Sequence, residues 1–544
     1  MARLAAIDIG SNALRLRIVE VDAPTVSGGA ADGETARFHA FRDVFVDRVP
    51  VRLGHDVFTK GRLATSVIGA ACDALRRFRT AMDAAKVDRY RAVATSAARE
   101  AQNGDVFVER AEREAGIHVE VIEGIEEARL VQLAVRERLA PDDRNVLLVD
   151  IGGGSTELTL LRGRTPLFTR SLPIGTVRLV ESFLDGGGPV GDVELRILDE
   201  YLDRSFVEAV PEILALTGGR VDLLVGTGGN IETLAELCPV PSAFPEARAI
   251  DVAAMIKLVA ELAKKSVDQR ASEHGLRPDR ADTIVPAAVL LARLSQKFDR
   301  ASIAAPGVGL KEGVLVDLAR AHFLDADVGS EAMAALTDAC VRLGRRYHFD
   351  EQHGQIVAGF AVRLFADLAP RHRMGARDRM LLHAAALLHD VGDYVRYEAH
   401  HKHSFYLIQN SDLMGVSPVE RAVIANVARY HRKSHPSPDH DNFRALSRED
   451  RGRVKALAAI LRVADALDRE HLGKVTEVSG RIEGDTFVLT AEGSEDRALE
   501  EWTVRAKSGL LRDAFGLDVK LLAQVDPAKR ATDAPPSARP SQRG

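Results

Sequence analysis

The chain has 544 residues, 46% hydrophobic and 28% charged, which excludes a disordered or fibrous protein and allows three or four domains. With 73 lysines and arginines against 79 acids, the net charge is -6; this argues against a generally sticky nucleic-acid or membrane-surface protein but leaves room for a local basic channel. Cys72, Cys238 and Cys340 lie far apart with no CxxC spacing, so neither a disulfide framework nor a cysteine metal site is expected, and a reducing compartment is.

The first predicted element is a buried strand in LAAIDIG, where Asp8 interrupts the apolar run a signal peptide would need. No stretch approaches the roughly 18–20 apolar residues of a membrane span, so a cytoplasmic location is expected, with neither membrane nor nucleic acid as a partner. A polar hairpin loop is expected over residues 27–35 and a helix over 63–82. The strand YRAVATSA follows, then a helix from near Gly104 and another in GIEEARLVQLAVRERL, ending before Pro141. There the pattern restarts: NVLLVDIGGGSTELTLL reads as strand, glycine turn, strand, and VDLLVGTGG as a later strand. AAIDIGSN (5–12) and LVDIGGGS (148–155) share an apolar strand, Asp-Ile-Gly and a small polar turn. Two related α/β halves are therefore expected, with ligand at the carboxyl ends of the strands. Beyond about residue 330 the pattern is helical, and 11 of the 17 histidines fall between His348 and His440. VTEVSGRI and DTFVLTA then read as strands of a small α+β module around one helix, before a tail without large apolar residues that is expected to be disordered.

Gly10, Ser11 and Asn12 in the first turn, and Gly152, Gly153, Gly154 and Ser155 in the second, have the composition of phosphate loops, since glycine lets backbone N–H groups approach an anion. The strand-end Asp150, with Glu157 seven residues later, suits Mg²⁺, a hard ion that prefers carboxylates and phosphate oxygens. Thr95 and Ser96 can donate to phosphate, and Arg99 can form a forked pair with it. Glu126 and Glu127 open a helix about 100° apart around its axis; periodicity does not choose which faces a cleft.

DIGSNALRL (8–16), ATSAAR (94–99), EGIEEARL (123–130), DIGGGSTEL (150–158), PIGTVRL (173–179), GTGGN (226–230) and GLKEGVL (309–315) together resemble the exopolyphosphatase and guanosine pentaphosphate phosphohydrolase (Ppx/GppA) family, of the actin-like ATPase superfamily. The likeness continues through HHKHSFYLIQNSDLMG (400–415) and RYHRK (429–433). It implies a multidomain α/β plus all-α protein: two actin-like, ribonuclease H-like α/β lobes (1–130 and 131–316), a helical HD-like domain (317–474), a small α+β module (475–527) and a tail (528–544). It also implies hydrolysis of the terminal phosphoanhydride of inorganic polyphosphate, with guanosine pentaphosphate as a further substrate, Mg²⁺ as cofactor and a homodimer. By the same resemblance Glu127 is the water-activating glutamate, Asp150 and Glu157 hold Mg²⁺, and Gly10, Ser11, Asn12, Thr95, Ser96, Arg99 and Gly152, Gly153, Gly154, Ser155 bind phosphate. A nucleotide-preferring phosphohydrolase, or a sensing regulator with vestigial turnover, stays open as an alternative. Glu123 replaces a serine common before the glycine of the EEA motif, and its charge could raise the Glu127 pKa or repel substrate.

In the helical half, His353, the His389-Asp390 pair and Asp465 have the order of an HD-type metal site. His353, His389 and Asp465 each continue an apolar helical stripe, where an unpaired ionisable group is costly. A second divalent metal would satisfy all four; hydrogen-bonded core residues are the alternative.

Overall fold

The computed structural model describes residues 1–24, 41–55, 57–139, 143–163, 165–184, 187–323, 328–372, 374–411, 413, 416, 418–493 and 498–525. The expected hairpin loop over 27–35 and the tail over 528–544 lie outside them. The chain divides into two units, Met1–Val328 and Gly329–Gly544. No helix among the described residues is long and apolar enough to cross a membrane.

The first unit holds two sheets. β1 (Ala2–Ile9), β2 (Leu14–Val21), β3 (Phe41–Val49), β4 (Arg89–Ala94) and β5 (Val119–Val121) form the first, in the order β3-β2-β1-β4-β5. The second contains β6 (Asn145–Ile151), β7 (Thr156–Arg162), β8 (Thr165–Leu172), β9 (Leu223–Thr227), β10 (Pro239–Val240), β11 (Arg248–Asp251) and β12 (Ser302–Ala305), ordered β10-β11-β12-β9-β6-β7-β8. In each sheet a strand carrying Asp-Ile-Gly at its end pairs antiparallel with the next strand on one side and parallel with a later strand on the other. The duplication expected from the two short motifs is thus a duplication of topology.

Both faces of β1 and β6 are covered, which is why they read as unbroken apolar runs, whereas the edge strand β3 is largely exposed. Side chains alternate across a strand. Ala5, Ile7 and Ile9 join a core on the outer face of the first sheet, and Leu147, Val149 and Ile151 one on the outer face of the second. Leu4, Ala6, Val146 and Leu148 point instead into a shared core, completed by the helices Gly124–Leu139 and Leu310–Phe323. The boundaries expected at residues 130/131 and 316/317 fall inside these two helices. Both are central to the packing, so neither is where the chain divides.

In the second unit, helices including Glu351–Asp367, Ala376–Leu388, His400–Gln409, Pro418–Arg429 and Arg448–Ala466 precede a sheet of β13 (Val475–Glu483), β14 (Thr486–Gly493) and β15 (Asp518–Val525). β13 and β14 form a hairpin; β15 returns parallel to β14 after two helices, Ala498–Lys507 and Gly509–Phe515. Val475, Phe487, Leu489 and Val504 share one core with Leu457 and Leu461. The boundary expected at 474/475 therefore separates nothing: the small sheet completes the helical core.

The central helix pair approaches backbone to backbone. A Cβ on Gly313 would lie 1.9 Å from the Leu130 carbonyl oxygen, whereas one on Gly69, in the helix Thr65–Ala84, would meet nothing within 4 Å. Gly313→Ala is expected to destabilise the first unit by about 1–3 kcal/mol through overpacking, and Gly69→Ala to leave it unchanged or stabilise it by up to ~1 kcal/mol. Denaturant unfolding of both variants checks this; equal effects would contradict the packing described.

Candidate active site

The site is set by strand register. β1 and β2 place Asp8 opposite Arg15, while β6 and β7 place Asp150 opposite Glu157 at the equivalent position. In the first sheet the pair is a closed ion pair, Arg15 Nη1 to Asp8 Oδ2 at 2.7 Å. In the second it is two acids side by side.

Glu127 supplies a third. One oxygen each of Glu127, Asp150 and Glu157 lies within 4.8 Å of the others, and all three residues are buried. Ser171 Oγ donates to Glu157 Oε1 at 2.7 Å and Thr227 Oγ1 to Asp150 Oδ1 at 2.7 Å. Glu127 Oε2 and Glu157 Oε2 are buried without a hydrogen-bond partner. Burial, then the charges of Glu157 and Asp150, hold the Glu127 carboxyl well above the usual range. Burial and Asp150 raise Glu157. Burial raises Asp150 to about 6 against the hydrogen bond from Thr227. Three like charges with open lone pairs in a low-dielectric site need protons or a cation between them.

Glu126 faces away, ion-paired with Arg129 at 2.7 Å and Arg91 at 3.3 Å. These two cations overcome its burial and lower it to about 2. The choice that periodicity leaves open is thus made by packing, in favour of Glu127. Gly124 permits it: a Cβ there would sit 2.2 Å from Ser171 Oγ and 3.2 Å from Glu157 Oε1, so only glycine brings the helix start against this pair.

Glu127 and Asp150 line a cavity of about 270 Å³, with Glu157 just outside the lining; this is roughly nine times the ~30 Å³ share of one water molecule, so it accommodates more than solvent trapped at a packing fault. Gly10, Ser11, Asn12, Thr95, Ser96, Gly152, Gly153 and Ser155 line it as expected. Ser11 and Ser96 hydroxyls are hydrogen-bonded at 3.0 Å. Two expected residues behave differently. Gly154 is not in the lining, because a Cβ on it would meet Phe58 and Ser96 Oγ at 2.3 Å; its missing side chain serves close approach between the two lobes. Arg99 is also outside the lining, since its Nη1 donates to the Ile122 carbonyl at 2.5 Å and its Nε lies 3.9 Å from Glu123. Its charge still lowers Glu127 and Glu157. Glu123 thus places its extra charge on Arg99.

Sequence reasoning gave no role to a group of cations in the same lining: Arg15, Arg48, Arg277, Arg280 and Lys311. Arg48 pairs with Asp279. Arg280 is buried with its Nε lacking a hydrogen bond, 3.9 Å from Asp279 Oδ2, and its guanidinium lies against Gly229, where a Cβ would lie 2.0 Å from Nη2. Burial, then the Arg15 charge, lowers Arg280 to about 10. The helices Gly229–Leu237 and Leu310–Phe323 begin at the same cavity, turning free backbone N–H groups toward an anion. The GTGGN and GLKEGVL segments mark these helix starts. The arginines come from unrelated segments with no shared spacing.

In the second unit His353, His389 and Asp390 come together as expected, with one ligand atom each within 4.8 Å of the others. Asp465 comes close, its Oδ1 3.8 Å from His389 Nε2, but its other oxygen is paired with Lys507. The expectation that a single metal satisfies all four acquires this competitor, which lies on a helix beyond the motif. Asp468, also outside the motif, lies 2.8 Å from His353 Nδ1.

A family model described as "Ppx/GppA phosphatase family" matches residues 33–322, and one described as "Ppx/GppA phosphatase, domain III" matches residues 337–521. Curated relatives named guanosine-5'-triphosphate,3'-diphosphate pyrophosphatase come from two Aeromonas species. That of Aeromonas hydrophila is 27% identical over 494 residues, spanning 89% of this chain and 92% of its own. That of Aeromonas salmonicida is 26% identical over 493 residues, with the same coverage. Among solved structures, an exopolyphosphatase from Cytophaga hutchinsonii is 26% identical with a TM-score of 0.50, covering 59% of this chain and 98% of its own.

A stability signature follows from Asp150. Its folded pKa of about 6 lies above the ordinary value of 3.8, so the folded chain keeps a proton that the unfolded chain has lost. This contribution is fully present below the ordinary value and is lost as pH rises through about 6. In chelator, Asp150→Asn is therefore expected to melt at or above the wild-type temperature at pH 7.5, the advantage vanishing below pH 4. A variant less stable than wild type at pH 7.5 would contradict the crowding of charge described here.

Proposed function

Because the chain belongs to the Ppx/GppA phosphatase family, we propose that it hydrolyses the terminal phosphoanhydride bond of inorganic polyphosphate, releasing orthophosphate, and that guanosine pentaphosphate is a further substrate. The observation that carries this reading is Glu127: a buried carboxylate with an unpartnered oxygen, beside Asp150 and Glu157, in a cavity whose lining brings together five cations and several hydroxyls as well as Asp8, Asp47 and Glu232.

The donor set suits Mg²⁺: hard carboxylate oxygens, two of them orphaned, whose protons are held only by mutual repulsion and burial. Asp150 and Glu157 would hold the ion, and when bound it neutralises charge on the transferring phosphoryl group. The chain's own groups do the rest. Ser11, Thr95 and Ser96 hydroxyls donate to non-bridging oxygens of the terminal phosphate. Arg15, Arg280 and Lys311, with the helix starts at Gly229 and Leu310, meet the charge of the phosphates behind it. Glu127 orients a water in line with the scissile bond and accepts its proton as oxygen attacks phosphorus and the bridging P–O bond breaks. A cation held by Asp150 and Glu157 would offset the two charges that, after burial, raise Glu127.

A nucleotide-preferring reading is favoured by one fact: the relatives covering 89% of this chain are named for guanosine-5'-triphosphate,3'-diphosphate. Phosphate release from long-chain polyphosphate and from guanosine pentaphosphate, compared in kcat/KM, decides between them. For either substrate Glu127→Gln is expected to lower kcat about 10²–10⁴-fold with KM little changed. Undiminished turnover by this variant would remove the catalytic assignment.

A further inference from the structure

The histidine cluster of the second unit is larger than the predicted set. His400 and His431, from the helix His400–Gln409 and the end of Pro418–Arg429, converge on the far side of Asp390. Asp390 Oδ1 lies 3.1 Å from His400 Nε2 and 3.4 Å from His431 Nε2. Asp390 Oδ2 lies 3.5 Å from His389 Nε2 and 3.9 Å from His353 Nε2. One carboxylate thus stands between two imidazole pairs, an oxygen toward each.

Hydrogen bonding fixes the tautomers. His389 Nδ1 and His431 Nδ1 lie 2.7 Å from the carbonyl oxygens of Ala386 and Ala428, which only accept, so both nitrogens carry the proton. His353 Nδ1 lies 2.8 Å from an oxygen of Asp468, and His400 Nδ1 2.6 Å from Asp393 Oδ1; opposite a carboxylate these too are N–H donors. In the neutral imidazoles all four Nε2 atoms are then lone pairs directed inward, that of His400 also 3.2 Å from Arg432 Nη1. They meet in twos: His353 to His389 at 3.2 Å and His400 to His431 at 3.2 Å. A proton shared within each pair would still leave Asp390 facing the remaining lone pairs across 3.1–3.9 Å. Two nitrogens on one tetrahedral ion at ~2.0–2.1 Å stand about 3.4 Å apart, which matches both pairs. Backbone carbonyls and carboxylates behind imidazoles are also how ligating histidines are oriented.

We infer that this unit holds a pair of divalent transition-metal cations bridged by Asp390, one bound by His353 and His389 and the other by His400 and His431. Imidazole donors select metals of the manganese-to-zinc series over magnesium, so this centre differs in chemistry from the all-carboxylate set of the first unit. Asp465, shared with Lys507, completes the first ion's surroundings. The four histidines are each at most 3% exposed, whereas the side chains of Asp390 and Asp393 are 17% and 38% exposed, leaving the bridging edge as the way in.

The test is metal stoichiometry in the full chain, tag-free and carrying Asp150→Asn so that the first unit does not contribute. Metal-free protein titrated with Mn²⁺ by calorimetry should bind two equivalents, and its electron paramagnetic resonance spectrum should show a spin-coupled pair. His431→Gln should bind one equivalent with an uncoupled six-line spectrum, and Asp390→Asn fewer than one. Each side chain is replaced by one of similar size, and circular dichroism verifies folding; His435→Gln, a partly exposed histidine outside the cluster, controls for nonspecific loss. One equivalent or none in the starting protein, or two retained in Asp390→Asn, would overturn the inference.

Discussion

Three carboxylates brought within a few ångströms in a buried pocket are the constraint around which the first unit is organised. Burial, and then their mutual repulsion, raises Glu127 and Glu157 above the usual carboxyl range. Among the described residues none of the three forms an ion pair, although the Arg99 charge lowers Glu127 and Glu157. Ser171 and Thr227 contribute hydroxyls, which orient Glu157 and Asp150 without neutralising them. In the proposed reading, a cation held by Asp150 and Glu157 would offset that repulsion on Glu127. The packing that sustains the strain is extensive: β6 and β7 are covered on both faces, and the helix carrying Glu127 lies in the core shared by the two sheets.

Duplication explains how such a site arises from an ordinary unit. Asp8 and Asp150 occupy equivalent strand ends, each opposite a residue seven positions later in the chain. In one lobe that residue is Arg15 and the charge closes on itself; in the other it is Glu157 and the charge accumulates. A single position of the repeat thus separates an ion pair from an acid pair, and Arg15 remains in the cavity lining. The glycine loops likewise divide their labour. Gly152 and Gly153 face the cavity, while Gly154 lets Phe58 and Ser96 approach.

Much of this was legible in the sequence where a local pattern had a local cause. Apolar runs ending in Asp-Ile-Gly gave the strands, and their recurrence gave the two halves, because a strand buried on both faces has no polar alternation to hide it. Asp150 and Glu157 could be paired from spacing alone, since a tight turn fixes which residues oppose each other. The choice between Glu126 and Glu127 could not, because Arg91, from a distant strand, joins Arg129, one turn along the same helix, in holding Glu126. Arg48, Arg277 and Arg280 were missed for the same reason, being assembled by tertiary folding from segments with no motif. Arg99 was misjudged because its guanidinium, free in sequence, is claimed by the Ile122 carbonyl and Glu123. Domain edges failed where a boundary was drawn through a continuous helix, a feature that motif spacing does not report.

The central claim, that crowded protonated carboxyls in the first unit are the seat of a divalent cation, is tested most directly by counting the protons it displaces. Mg²⁺ titrated into the metal-free chain at pH 7 in two buffers of different ionisation enthalpy should release about one to two protons per ion bound, and Glu157→Gln should release fewer. Binding without proton release, or release unchanged by that substitution, would contradict the account.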